Sequence, residues 1–164
     1  MSTQKPARLG KLPPRHRFFL NPYVDERFTR CPGCGDATKV RKKPFLIHID
    51  PDVLLLLNMR GRYCPACDVL ILHQNVVEDL LVRTFEQRRP DIIGNDYLIL
   101  GTVEPAFWRK HKGKATAGPL FDNLHDFEQV VVYEPMRPRW MPADSAMSII
   151  RWAVSRFVDI GFCT

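Results

Sequence analysis

Two pairs of cysteines carry the clearest chemistry in this chain of 164 residues. Cys31 and Cys34 are separated by two residues, and so are Cys64 and Cys67. A Cys-x-x-Cys turn directs two thiolates at one point, and four thiolates suit the tetrahedral coordination that Zn²⁺ prefers in structural sites. Four sulfurs leave no position for a water molecule, so the pattern predicts a structural zinc and not a catalytic one. We therefore expect one Zn²⁺ per chain, held by these four cysteines.

Three other interpretations of the cysteine pairs stay open. The same residues would hold a single iron in a rubredoxin-type site, they would form two disulfide bonds, or they would be four unrelated buried cysteines. The total of five cysteines is odd, and the basic N-terminus has no apolar stretch typical of a secretory signal. Both observations favour a metal over disulfides. Cys163 has no neighbouring cysteine, and we assign it no role.

Short β-favouring runs surround the cysteine pairs and are expected to position them. Residues 39–41, 45–49 and 69–72 are predicted strands, whereas the apolar run 53–58 fits either a buried strand or a short helix. The 29 residues between Cys34 and Cys64 are enough for two or three strands that return the second pair to the first.

The clearest helix is predicted over residues 76–89, with Asn75 as its cap and Pro90 ending it. Residues 97–100 and 129–133 are predicted strands that pair antiparallel around a basic loop at 109–118. A last helix is predicted over residues 146–158.

These elements predict an α+β protein with a four-cysteine zinc-ribbon β-sheet, a following helix and a small C-terminal α+β part. We divide the chain into a flexible basic arm (1–17), the zinc ribbon with its helix (18–90), and a C-terminal region packed on it (91–164). The ribbon itself is assigned to residues 27–74.

The two Cys-Pro-x-Cys sequences, with Tyr63 just before the second, resemble the zinc-ribbon superfamily. Over residues 27–90 the arrangement is similar to the YgiT-type zinc finger of some bacterial antitoxins. The resemblance implies a four-thiolate zinc site at Cys31, Cys34, Cys64 and Cys67 and nothing catalytic. In those antitoxins a helix-turn-helix domain follows and binds DNA, and residues 91–164 show no such pair of helices.

The charge distribution predicts contact with RNA or DNA. The net charge is +6, of which residues 1–43 contribute +8, residues 44–104 −4 and residues 105–164 +2. Basic clusters suit a polyanion, because each phosphate contact releases condensed counterions. The candidate contacts are the arm (Lys5, Arg8, Lys11, Arg15, Arg17), the ribbon (Lys39, Arg41, Lys42, Lys43) and a later cluster (Arg109, Lys110, Lys112, Lys114).

Two alternative functions come from other classes. The acidic centre and its apolar run at 53–57 suit a protein-interaction or assembly module, whereas His48 and Asp50 suit a second metal in a hydrolase. No phosphate-binding loop, nucleophile elbow or dinucleotide fingerprint is present, so we expect a non-enzymatic protein. The longest aliphatic run has five residues and a membrane span needs about twenty, so we expect a cytoplasmic protein without a membrane partner. The sequence does not indicate an oligomeric state.

Overall fold

Strands form most of the structure around the four cysteines. The computed structural model describes residues 8–112 and 114–134, together with the backbone of 156–160. The strands are β1 (Arg17–Asn21), β2 (Lys39–Ile49), β3 (Val53–Cys64), β4 (Val69–His73), β5 (Tyr97–Val103), β6 (Leu124–Asp126), β7 (Gln129–Glu134) and β8 (Arg156–Ile160). The helices are α1 (Gln74–Phe85), α2 (Pro105–His111) and α3 (Ala117–Asp122), with a 3-10 turn at Pro90–Ile92. The predicted α+β class is confirmed.

All eight strands belong to one sheet, in the order β6-β5-β2-β3-β4-β1-β7-β8. The strands from β6 to β4 in this order are antiparallel to their neighbours, whereas β1 is parallel to both β4 and β7. Only residues 127–128 separate β6 from β7, although β6 pairs with β5 and β7 pairs with β1. The sheet therefore curls until β6 lies near β7.

The inner face of the curled sheet holds the main hydrophobic core. Its buried side chains alternate along the strands, as expected for one face of a sheet, and include Phe18, Phe45, Ile47 and Leu70. Helix α1 adds Val77 to this core. Each such side chain, once buried, stabilises the fold by about 1.5–3 kcal/mol. Helices α2 and α3 cover a second cluster around Leu46, Leu56 and Leu124.

The predicted elements near the cysteines match the structure closely. The run 53–58, which fitted a strand or a helix, lies in β3, and the predicted helix 76–89 is observed as α1. The helix begins directly after His73, without a side-chain cap from Asn75. It ends at Phe85, whose carbonyl accepts hydrogen bonds from the N–H groups of Arg88 and Arg89. None of the helices within the described ranges combines the length and apolarity needed to cross a membrane.

Two expectations for the second half of the chain are wrong, and a third falls mostly outside the described residues. Residues 97–100 do not pair with 129–133, because β5 pairs with β6 and β7 pairs with β1. The expected loop at 109–118 begins as helix α2, which is stopped at Lys112 in the left-handed conformation. The predicted helix 146–158 lies outside the described residues up to 155, and residues 156–158 are strand residues paired with β7.

The segment before β1 lies along β6 in the structure. The N–H of Gly10 donates to the Asp126 carboxylate at 2.8 Å, and the N–H of Arg15 donates to the Asp126 carbonyl at 2.8 Å. Leu12 forms a parallel bridge with His125. Residues 8–16 of the basic arm are thus hydrogen-bonded to the sheet, and residues 1–7 lie outside the described part.

Candidate metal centre

The first cysteine pair lies in a tight turn between β1 and β2. The N–H of Gly35 donates to the Cys31 carbonyl at 2.8 Å, and the N–H of Cys31 donates to the Asp36 carbonyl at 2.7 Å. Gly35 has a φ of +81°, a left-handed conformation that glycine adopts without steric cost. An antiparallel bridge between Arg30 and Ala37 closes the turn at its base.

The second cysteine pair forms the turn between β3 and β4. Cys64 is the last residue of β3 and pairs with Val69, the first residue of β4. The N–H of Cys67 points back toward the Cys64 sulfur, with a separation of 3.5 Å. Asp68 takes a positive φ of 51°, which lets the chain leave the turn and enter β4.

The structure brings the four predicted ligands together. All four Sγ atoms lie within 4.8 Å of one another, and those of Cys34 and Cys64 are 3.6 Å apart. Tetrahedral zinc with Zn–S bonds of about 2.3 Å requires sulfur–sulfur distances of about 3.8 Å. The four cysteines are free thiols and not disulfides. The donor set and its spacing fit one tetrahedral metal ion.

Burial differs among the four thiols and shifts their pKa values. Cys31 and Cys64 are 3% and 0% exposed, whereas Cys34 is exposed. Burial raises the pKa of the Cys31 and Cys67 thiols, while the backbone N–H of Asp36 chiefly lowers the pKa of Cys34. Buried thiolates are costly without a counter-charge, and a divalent cation would supply it.

An aromatic wall packs against the cysteines and was not predicted from the sequence. Tyr133 of β7 is fully buried in one cluster with Phe19, Cys31 and Cys64. A methyl group at Gly33 would lie 3.2 Å from the Tyr133 hydroxyl oxygen and within 3.7 Å of two cysteine sulfurs, so only glycine fits there without displacement. Burial, as the main cause, raises the pKa of Tyr133 to about 12. Only the pairing of β7 with β1 brings this tyrosine to the site.

Hydrogen bonds from two side chains fix Asp68, the residue that follows Cys67. One oxygen of the Asp68 carboxylate lies 2.6 Å from Nδ1 of His16 and accepts a hydrogen bond of 2.8 Å from the Tyr63 hydroxyl. The N–H of Arg17 donates to the Asp68 carbonyl at 2.7 Å. His16 has a φ of +68° and is 3% exposed. These hydrogen bonds tie the start of β1 to the second cysteine turn.

The predicted basic residues of the ribbon lie at the end of β2 nearest the cysteines. β2 pairs with β5 only from Phe45 onward, so residues 39–44 form a sheet edge that no described strand covers. On β3, two arginines absent from the prediction face this segment: Arg60 lies opposite Lys42, and Arg62 lies opposite Val40. We define the basic ribbon as these six residues: Lys39, Arg41, Lys42, Lys43, Arg60 and Arg62.

The second predicted basic cluster lies on and after α2. Arg109, Lys110, Lys112 and Lys114 are all exposed. The helix packs on the sheet through Phe107 and Trp108, which contact the cluster around Leu46 and Leu56. Arg109 and Lys110 therefore extend from a helix that is anchored beside β2, and Lys112 and Lys114 follow that helix directly.

The structure also shows where the residues behind the two alternative functions, a hydrolase and a protein-interaction module, lie. His48 and Asp50 lie close, with 3.7 Å between Nδ1 and a carboxylate oxygen. Within the described residues, however, only the four cysteines form a group of three or more potential metal ligands close enough to share an ion. The apolar run 53–57 is buried or half-buried within β3.

Comparison with family models, with characterised proteins and with solved structures finds no significant match to this chain. The resemblance to YgiT-type zinc fingers stays a prediction. The geometry defines a class on its own: an α+β protein with a four-cysteine centre able to hold a metal ion.

Proposed function

We propose that this chain is a non-enzymatic zinc protein in which a structural zinc centre with four thiolate ligands fixes a basic ribbon that contacts nucleic acid. The four-thiol donor set supports zinc, because a closed tetrahedral sulfur site is the usual structural zinc site. Iron in the same site would give a coloured protein, so elemental analysis with an absorption spectrum separates the two metals.

The position of the centre supports a role in holding the ribbon. Cys64 ends β3, and the first cysteine turn leads through Ala37 into β2. A metal bound to both turns therefore clamps the two strands together at the end where the charged residues lie. The zinc would contribute folding free energy at this point and leave the charged face exposed.

The observation that carries the proposal is the direct pairing of Lys42 with Arg60 across β2 and β3. Like charges directly opposite one another destabilise a sheet. Arg62 lies on the same face, and in the described residues no carboxylate forms an ion pair with any of the three. A polyanion would neutralise this concentration of charge, and its phosphates are the ligands that arginine fits best.

The neighbouring elements extend the same surface chemistry. Lys39, Arg41 and Lys43 alternate on the opposite face of the ribbon, and the exposed basic residues of α2 lie on an element that packs on β2. Phosphate contacts from several elements would favour binding through the nucleic-acid backbone without sequence readout.

Binding of short labelled RNA and DNA at several salt concentrations tests the proposal. We expect salt-sensitive binding, and the double substitution Arg60→Ala, Arg62→Ala should weaken it about tenfold and reduce the salt slope by about 2. The matched control is Arg83→Ala, Arg88→Ala, which removes two exposed arginines, one in the last turn of α1 and one just after the helix. Equal weakening by both variants, or no binding to either nucleic acid, would contradict the proposal.

The alternative of a protein-interaction module predicts a different outcome. An apolar docking surface responds weakly to salt, whereas phosphate contacts weaken steeply between low and moderate salt. A partner captured with salt-insensitive affinity, and no nucleic-acid binding in the same preparation, would favour this alternative.

A further inference from the structure

A cavity of about 540 Å³ lies between α1 and the loop that precedes β5, away from the metal centre. Its apolar wall comes from the sheet, from one face of α1 and from the 3-10 turn, and includes Leu20, Leu81, Val82, Phe85 and Ile92. This volume falls in the range of about 300–1,000 Å³ that small-molecule sites occupy.

The polar residues of the cavity are acidic or neutral. Glu78 and Asp96 line it together with Gln74, Asn95 and Tyr97, and no lysine, arginine or histidine is among the lining residues. In the described part of the chain, neither carboxylate forms an ion pair. The cavity thus combines an apolar wall with two carboxylates that lack a cation.

The Glu78 carboxylate is held in place before any ligand binds. Tyr97 donates from its hydroxyl to one oxygen of Glu78 at 3.1 Å, and the Gln74 amide donates to the same oxygen at 2.9 Å. This arrangement orients the carboxylate and leaves its second oxygen without a described partner. A group held in advance costs less conformational entropy when it binds a ligand.

The loop on the other side is fixed by its own hydrogen bonds. The Asn95 amide donates to the Asp50 carbonyl at 2.9 Å, and the N–H of Asp50 donates to the Asp96 carbonyl at 2.9 Å. Gly94 takes a φ of +90°, and a side chain at that position would meet open space. The loop therefore forms a fixed edge of the cavity and does not fill it.

Two large apolar side chains of this cavity are partly exposed to solvent. Val82 is 42% exposed and Ile93 is 39% exposed, and they come from the helix and the loop that face each other across the opening. Covering them would remove apolar surface from water, which supplies affinity to an apolar ligand body.

We propose that this cavity binds a small organic cation with an apolar body, the ammonium group near Glu78 and Asp96 and the body against Leu81, Val82 and Phe85. Charge complementarity selects the cation, because the lining holds two carboxyl groups and no basic side chain competes for them. The apolar wall selects against a hydrated metal ion. The site is independent of the basic ribbon and of the metal centre.

Amide NMR spectra of the metal-loaded full chain test the proposal, with phenethylamine as the cationic probe. Phenethyl alcohol has nearly the same body without the charge, and phenylpropionate carries the opposite charge. We expect phenethylamine to shift the amides of residues 92–97 and of α1, with an affinity about tenfold above that of the alcohol at low salt. Phenylpropionate should produce no shifts there.

Two pairs of variants separate the charge from the apolar wall. Glu78→Gln should abolish the preference for the amine over the alcohol, whereas Asp79→Asn, an exposed neighbour outside the lining, should retain it. Val82→Lys should block both probes, and Val76→Lys, on the same helix and 46% exposed, should not.

Several results would overturn the inference. Equal affinity for the amine and the alcohol in the natural sequence would remove the role of the carboxylates. Shifts confined to other parts of the chain would mean that the probe binds elsewhere. A probe concentration of about 10 mM reveals even weak binding, with a dissociation constant of about 1 mM. No shift with any probe at that concentration would show that the cavity does not bind this class of ligand.

Discussion

The sulfur atoms of Cys34 and Cys64 lie 3.6 Å apart, although the two cysteines are 30 positions apart in the sequence. One of these thiols is exposed and the other is fully buried. The site therefore joins a surface turn to the end of a core strand. Removing the metal should affect the two sides unequally.

Replacing the buried ligand should abolish metal binding and destabilise the protein. Cys64→Ser leaves three thiols and a hydroxyl at a fully buried position, so we expect loss of metal binding and of about 4 kcal/mol or more of unfolding free energy. Metal content and denaturant unfolding measure the two effects. Cys163→Ser, at a cysteine outside the described residues, is the control and should keep one metal per chain. Full metal content in the Cys64→Ser protein would contradict the assignment of the ligands.

Chelation should loosen the first cysteine turn before it loosens the sheet. In the described structure few backbone hydrogen bonds hold residues 28–38, among them those from Thr38 to Thr29 and from Gly35 to Cys31, at 2.9 and 2.8 Å. Segments with few such bonds open at low free-energy cost. Hydrogen exchange should therefore rise at 28–38 after chelation, while residues 45–49 of β2, paired on both sides, stay protected. Equal acceleration in both segments would mean that the metal supports the whole fold.

The buried His16 should make stability depend on pH. Burial, opposed by the hydrogen bond to Asp68, lowers the pKa of His16 below 6.5 in the folded protein. As the pH falls from about 6.5 toward the folded-state pKa, the unfolded chain binds a proton that the folded chain does not, so the unfolding free energy decreases. Above about pH 6.5 the histidine is neutral in both the folded and the unfolded chain, so this loss of unfolding free energy disappears.

Denaturant unfolding at several pH values measures this effect. His16→Asn is the informative variant, because asparagine tolerates the left-handed conformation, donates to Asp68 and does not titrate in this range. The slope of unfolding free energy between pH 7 and pH 5 should be smaller in the variant than in the natural sequence. His73, whose pKa burial also lowers, is present in both proteins and cancels in the comparison. An equal slope in the two proteins would show that folding does not lower the pKa of His16.

Alanine should have very different effects on stability at two glycines, Gly101 and Gly118. A methyl group at Gly101 in β5 would lie 2.1 Å from the backbone oxygen of His125, which cannot move without breaking the pairing of β5 and β6. Gly101→Ala should therefore lower the unfolding free energy by about 2–4 kcal/mol. Gly118 lies in α3, where a methyl group would meet open space apart from the ring of the following Pro119, so Gly118→Ala should change stability by less than about 1 kcal/mol. Thermal unfolding of both variants checks the contrast, and equal destabilisation would contradict the close approach of β6 to β5.

The sequence predicted the local features of the site well. The spacing of Cys31 with Cys34 and of Cys64 with Cys67 identified residues that the fold brings within 4.8 Å of one another. The concentration of basic residues at 39–43 identified an exposed strand end. These signals are local, because a turn or a strand face depends on residues close together in the chain.

The long-range features could not be predicted in this way. Tyr133 lies at the metal centre because β7 pairs with β1, and His16 reaches Asp68 because β1 pairs with β4. Arg60 and Arg62 join the basic ribbon through the register of β3 on β2. Pairings between distant strands depend on the whole fold, and no pattern within one segment indicates them.

The parallel position of β1 has a consequence for synthesis on the ribosome. β1 is made before the other described strands, and its contacts with β4 and β7 join residues 52 and 112 positions apart, as the pairs Asn21–His73 and Arg17–Gln129 show. The curled sheet can therefore close only after β7 has emerged, whereas all four cysteines are available once Cys67 has been made. Metal capture can precede sheet closure, and the two cysteine turns, held by a bound metal, would then be the first of the described segments to reach their final geometry.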